Sequence, residues 1–248
     1  MAIKNIYLCG ASDCAPDPAY SGQSWHEILA SKLSDQYQFH NLSIEGSSNF
    51  LIRLQIDHAL KNKADAIIIN FTSSVRTEIS IDSKKDQRPL LERFYRRHTN
   101  DGNATLLSLS RTQATHNECL RKDAQKKLYE YQLDFFDMDV AVQKNFYLIK
   151  GALDELTSDS VRFCFSLGGF EHPDYMEIKR TTFHDLLEKF QLYRSKYNLW
   201  DYITDWKTRS HNLIRPQVSG PRFHIIDSEI TNMLADYYHD WILTVCNL

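Results

Sequence analysis

The chain has 248 residues, 42% hydrophobic and 25% charged, with a formal net charge of −3. That length and make-up suit one large globular domain, or a domain with an insertion. The near-neutral balance excludes a general electrostatic attraction to nucleic acid, and no run approaches the roughly 18 apolar residues that a membrane helix needs.

The first element is an apolar run, Lys4 to Cys9, that stops at Gly10-Ala11-Ser12-Asp13. A strand ending in a glycine turn carries the next side chains to the C-terminal edge of a sheet, where open α/β folds keep their chemistry. Glycine permits the tight turn, and a serine there can face a cleft as a nucleophile or serve as an ordinary helix cap. A helix is predicted over 24–33, a strand over 37–43 and a helix over 48–61. The following Asp65-Ala66-Ile67-Ile68-Ile69 is apolar without alternation, as expected of a central strand covered on both faces. Strands alternating with helices predict a parallel sheet with right-handed crossovers.

Residues 76–115 interrupt this rhythm with a charged stretch, a short helix over 89–98 and the turn cluster Asn100-Asp101-Gly102-Asn103. We read them as an insertion or lid above the sheet edge, since loops this long are usually functional. Arg93, Arg96, Arg97 and His98 make it locally basic, either as a solvated helix face or as an anion-attracting rim. Residues 115–157 read as one or two long helices, with Leu128, Leu133, Phe136, Val140, Val142, Phe146, Ile149, Leu153 and Leu156 at helical steps. A fourth strand follows over 161–166, then a helix over 181–197, an aromatic-rich loop over 198–220 and a last helix over 227–244. The 13 Phe, 13 Tyr and 4 Trp are assigned mainly to a large core, the rival being a sugar-stacking surface.

The five cysteines are an odd number without metal-ligand spacing, so reduced thiols are expected and no metal site is predicted. Cys9 and Cys164 fall in strand runs as small core residues. The N-terminus passes into a strand without an apolar h-region or cleavage site, which predicts a cytoplasmic product, of an infected host if viral, unless a virion carries it.

The ordered set Gly10-Ala11-Ser12, Ser24-Trp25 with Leu29-Ala30 and Leu33, Asn41-Leu42 with Gly46-Ser47-Ser48-Asn49, and Thr72-Ser73-Ser74-Val75-Arg76 resembles the SGNH/GDSL hydrolases. It is most similar to a divergent branch common in phages and polysaccharide gene clusters. The likeness is good over residues 1–80, loose over 125–170 and moderate over 220–240. It implies a three-layer α/β/α flavodoxin-like fold with four or five parallel strands and an inserted helical region, forming a single domain over 1–248. It also implies a cofactor-free serine esterase acting on a small-molecule or glycan ester, such as a sugar O-acetyl group, without nucleic acid or membrane as partner.

Carried over residue by residue, the resemblance makes Ser12 the nucleophile and His224 the base, with Gly46 N–H and a hydroxyl of Thr72 or Ser73 as oxyanion donors. Asn49, Arg76 and Trp206 fall to the substrate side, although Ser47, Ser48 and Asn49 also read as helix caps, and Arg76 also reads as a partner of Glu45 or Glu78. His172 is a second candidate for the base or a substrate ligand. Three departures stand out. Ala11 replaces the family's Asp before the serine. Pro221 replaces the Asp that orients the histidine, leaving a backbone carbonyl, Asp201 or Asp205 to take that role, or activity lost. The oxyanion Asn is missing from the loop after the third strand. These departures keep a rival open: a catalytically degenerate module that binds a glycan or protein through the aromatic loop 198–206. A nucleotide or phosphate binder is a weaker rival, because no Gly-rich cradle is present.

Overall fold

The structure is a computed structural model, and it describes residues 3–16, 21–72, 76–80, 88–95, 106–109, 122–168, 176–199 and 228–246. Four strands form a parallel sheet: β1 (Lys4–Cys9), β2 (Tyr37–Asn41), β3 (Ala66–Asn70) and β6 (Arg162–Ser166), in the order β2-β1-β3-β6. A separate antiparallel pair joins β4 (Thr77–Ser80) to β5 (Leu106–Leu109). The helices are α1 (Trp25–Lys32), α2 (Asn49–Lys61), α3 (Leu90–Tyr95), α4 (Lys122–Asp134), α5 (Met138–Ser158), α6 (Met176–Lys189) and α7 (Ser228–Cys246). None of the described helices is long and apolar enough to cross a membrane.

The pleat explains the three layers. Successive strand side chains point to opposite faces. Tyr7, Cys9, Ile67, Ile69, Phe163 and Phe165 face one way, onto Ile52 and Ile56 of α2, Ile149 and Leu153 of α5, and Phe183 and Leu186 of α6. Ile6, Leu8, Ala66, Ile68 and Cys164 face the other way, onto Trp25 and Leu29 of α1 and Leu234, Tyr238 and Ile242 of α7. Both faces are dry at the centre of the sheet, where Ala66 to Ile69 of β3 are buried without alternation, whereas the edge strand β2 carries Gln38, His40 and Asn41 and is only half-buried. The described cysteines, Cys9, Cys14, Cys164 and Cys246, are buried free thiols.

Local chemistry sets the helix starts. Glu27, in the first turn of α1, accepts from the Gly22 and Ser24 N–H groups at 2.9 and 3.3 Å. Ser48 caps α2 by accepting from Leu51 N–H at 3.3 Å. Asp137 caps α5 by accepting from the Asp139 and Val140 N–H groups.

Four expectations need correction. The segment after β3 contributes an antiparallel strand pair as well as a helix. The stretch expected as one or two helices over 115–157 shows two from Lys122 onward, and the helical spacing does not mark core before Val142: Leu133 and Val140 are exposed. The helix expected over 181–197 begins at Met176 and ends at Lys189, followed by a 3-10 turn over Gln191–Tyr193. Arg93 is buried rather than part of a solvated face or rim. Residues 96–98, His172 and the aromatic loop from 200 onward lie outside the described residues.

Candidate active site

Because β1, β2 and β3 are parallel and adjacent, the loops that leave them emerge at one end of the sheet. Register pairs Leu8 with Asn41 and Cys9 with Ile69, so Gly10, the residues after Asn41 and those after Asn70 converge there.

The loop after β1 is held on every side. Gly10 N–H donates to Gln55 Oε1 at 2.8 Å, and Gly10 C=O accepts from Gln55 Nε2 at 3.3 Å. A Cβ at Gly10 would stand 3.0 Å from both Cβ and Sγ of Cys14, so any larger residue there would have to push Cys14 back. Cys14 N–H returns to Ala11 C=O at 3.1 Å, Trp25 Nε1–H donates to Asp13 C=O at 3.1 Å, and Asn41 Nδ2–H donates to Cys14 C=O at 2.8 Å. Ser12 sits at the centre of this turn with 9% of its surface exposed.

The loop after β2 turns at Gly46, whose φ of +84° is a left-handed value that other residues adopt only with strain. Ser47 N–H and Oγ–H both return to Ile44 C=O, at 3.1 and 2.9 Å. Arg76 Nη1–H donates to Gly46 C=O at 3.0 Å, so this arginine braces the turn.

The loop after β3 is fixed by Asn49. This side chain is fully buried and accepts from Thr72 N–H at 2.7 Å while donating to Thr72 C=O at 2.7 Å and to Asn145 Oδ1 at 2.8 Å. Asn49 was expected to contact substrate. Its burial and committed amide make it instead a brace for Thr72, which corrects that reading. The hydrogen bonds explain why: Asn49 opens α2 directly beneath the β3 loop and replaces a strand neighbour for Thr72.

A second polar group was not anticipated. Asp13 is buried, its carboxylate accepts from Asn70 Nδ2–H, and Asn70 Oδ1 accepts from Ser166 Oγ–H. The chain of contacts runs across the ends of β1, β3 and β6. Burial pushes the Asp13 carboxyl up to about 7, against the pull of the Arg76 charge and of the Asn70 hydrogen bond. The signal in the sequence was a polar residue closing each of three apolar runs, at Asp13, Asn70 and Ser166. Only the register aligns them, with Asn70 opposite Ser166.

Of the expected site residues, Ser12, Gly46 and Thr72 are thus brought to one end of the sheet, with Arg76 beside Gly46. Ser73, Trp206, Pro221 and His224 lie outside the described residues. For a metal, the described residues offer one group of three potential ligands, His184, Asp185 and Glu188, all exposed on α6. Exposed acidic groups are common without an ion.

Beside Gly46 a cleft of about 370 Å³ opens between Ser48, Arg76 and Asn145 on one side and the α4–α5 elbow on the other. Tyr131, Phe135 and Phe136 line that elbow.

No family model matches the chain, and no curated protein matches it. Among solved structures, the psychrotrophic esterase EstA from Pseudoalteromonas sp., captured with monoethylphosphonate, is similar with a TM-score of 0.52 at 12% identity. The match covers 99% of this chain and 100% of that one. TesA matches at 0.49 and 9% identity over 98% of this chain and 99% of its own. A member of the lipolytic G-D-S-L family from Veillonella parvula matches at 0.46 and 12% identity over 96% and 97%. The likeness to EstA is one of fold: the chain has the three-layer α/β/α architecture of that esterase, with a four-stranded parallel sheet.

Proposed function

We propose that the chain is an SGNH-type serine esterase of the phage-associated branch, a single domain acting in the cytoplasm on esters such as sugar O-acetyl groups. The observation that carries this reading is the convergence of Ser12, Gly46 and Thr72 on the loops leaving three adjacent parallel strands, in a fold shared with an esterase. In this mechanism Ser12 Oγ attacks the acyl carbon as its proton passes to His224. Gly46 N–H, with the Thr72 or Ser73 hydroxyl, stabilises the oxyanion. The alcohol leaves with the proton from His224, and water, deprotonated by the same histidine, releases the acid and restores Ser12. The chemistry requires no metal or organic cofactor.

One observation favours the rival reading as a degenerate binding module. The family's oxyanion Asn is absent from the loop after β3, and Asn70, the last residue of that strand, is committed to Asp13 and Ser166. Loss of one oxyanion donor typically costs about 100- to 1000-fold in rate, which slows an esterase without abolishing it.

The test is labelling by a serine-reactive fluorophosphonate, motivated by the phosphonate inhibition of the similar esterase. Wild type is expected to label, and Ser12→Ala and His224→Ala to lose the label. A folded wild type that stays unlabelled, or a Ser12→Ala protein that still labels, rejects the mechanism.

A further inference from the structure

We propose that the cleft between the α4–α5 elbow and the β2 loop binds the uncharged sugar portion of an ester substrate. This subsite rests on the esterase reading above.

The elbow differs from the core in how it treats its aromatics. Trp25, Phe71, Phe163, Phe165, Phe190 and Tyr238 are all buried. Tyr131 is 51% exposed and Phe135 73% exposed, and the two rings stack with centroids 5.9 Å apart at 28°. A stacked pair held open to solvent at the mouth of a cleft presents a flat apolar platform, and leaving it uncovered forgoes burial worth about 1.5–3 kcal/mol per ring. Ligand contact restores that burial.

The lining selects among occupants. Arg76 and Lys144 line the cleft together with Glu78 and Asp137, two charges of each sign, so it has no cationic surplus for an anionic ligand. An acyl chain would desolvate those charges without pairing them. A pyranose meets both demands. Its C–H face stacks on an aromatic ring, and its hydroxyls both donate and accept, matching a lining that carries both acids and bases. The cleft volume, about 370 Å³, lies within the range of small-ligand sites.

Position ties this platform to the reaction. Arg76 lines the cleft and donates to Gly46 C=O, while Asn145 lines it and bonds Asn49, the brace of Thr72. A sugar seated here lies beside the two loops proposed to hold the oxyanion.

The experiment compares kcat/KM for glucose pentaacetate, p-nitrophenyl acetate and p-nitrophenyl hexanoate in wild type, Tyr131→Ala, Phe135→Ala and the double variant. Tyr147→Ala, an exposed aromatic outside the cleft, is the control. The ratio of glucose pentaacetate to p-nitrophenyl acetate should fall about fivefold in each single variant and further in the double one, and stay unchanged in the control. An unchanged ratio in the double variant overturns the subsite. So does a loss confined to the hexanoate, which would make the cleft an acyl site. A wild type inert towards all three esters rejects the esterase reading, and the subsite is then judged by NMR titration of the protein with cellobiose. Saturable binding weakened about fivefold or more by Phe135→Ala supports it, and absence of saturable binding overturns it.

Discussion

Where the strands of the parallel sheet begin, Lys4 and Asp65 lie 3.6 Å apart with both side chains in contact with water. Where the same strands end, Asp13, Asn70 and Ser166 are buried and bond one another, and Asn49 is buried against Thr72 and Asn145. The first kind of polarity is cheap, because water already solvates both partners, and it contributes little. The second is costly unless each group finds its partner within the protein. One sheet therefore has an end built for solubility and an end that gives up stability for fixed polar geometry. The candidate nucleophile sits at the second end, as expected if rigid positioning is what that stability is exchanged for.

The contrast breaks most readily at Asn49. Asn49→Ala strips Thr72 and Asn145 of buried partners at once and is expected to lower the unfolding free energy by about 3 kcal/mol in urea titration. A loss under about 1 kcal/mol would mean that water replaces the amide and that the end is less dry than the fold implies. The next effect depends on pH. A carboxyl held up at about 7 in the fold and near its ordinary value when unfolded binds extra proton in the native state between those values. Stability from this group is therefore lost as pH rises from about 4 to 7 and is level above that. Between pH 5 and pH 8, wild type should lose about 2 kcal/mol more than Asp13→Asn, measured by denaturant unfolding of both proteins. Parallel pH dependence in the two would show that the carboxyl is not held up by burial. At the opposite end, Lys4→Ala should cost less than about 1 kcal/mol, and a larger loss would erase the distinction between the ends.

The sheet and its two covering layers were legible because they obey a period. The uninterrupted apolar run Ala66 to Ile69 announced a strand covered twice, and Gly10 and Gly46 marked turns, the first crowded by Cys14 and the second at a left-handed φ. The β4–β5 pair was not legible. Its strands are four residues long and meet across a long intervening segment, so neither pattern nor turn chemistry links them. Asn49 was misread because Ser47, Ser48 and Asn49 all suit a helix start, and sequence does not say which one turns inward. Asp13 escaped because a charged residue in a turn is exposed by default, and its partners are distant in the chain. The exposed elbow was hidden for a different reason. Leu133, Phe136 and Val140 continue the helical spacing of the core residues after them, so periodicity extends the core past where packing ends it.

The order β2-β1-β3-β6 has a consequence for how this protein can change. The first three strands lie close together in sequence, but β6 joins β3 only after the chain has travelled from Asn70 to Arg162. Closing a loop costs entropy that grows only with the logarithm of its length, so each doubling of that excursion costs about 0.6 kcal/mol. The β4–β5 pair, α3, α4 and the aromatic elbow all lie within it. Length changes in the part of it that precedes α5 are therefore cheap in entropy, whereas α5 packs Ile149, Ala152 and Leu153 into the core and holds Asn145 against Asn49. Variation in what the cleft accepts can accumulate at the exposed elbow side chains Tyr131 and Phe135, while Arg76 and Asn145 stay tied to the loops at the strand ends.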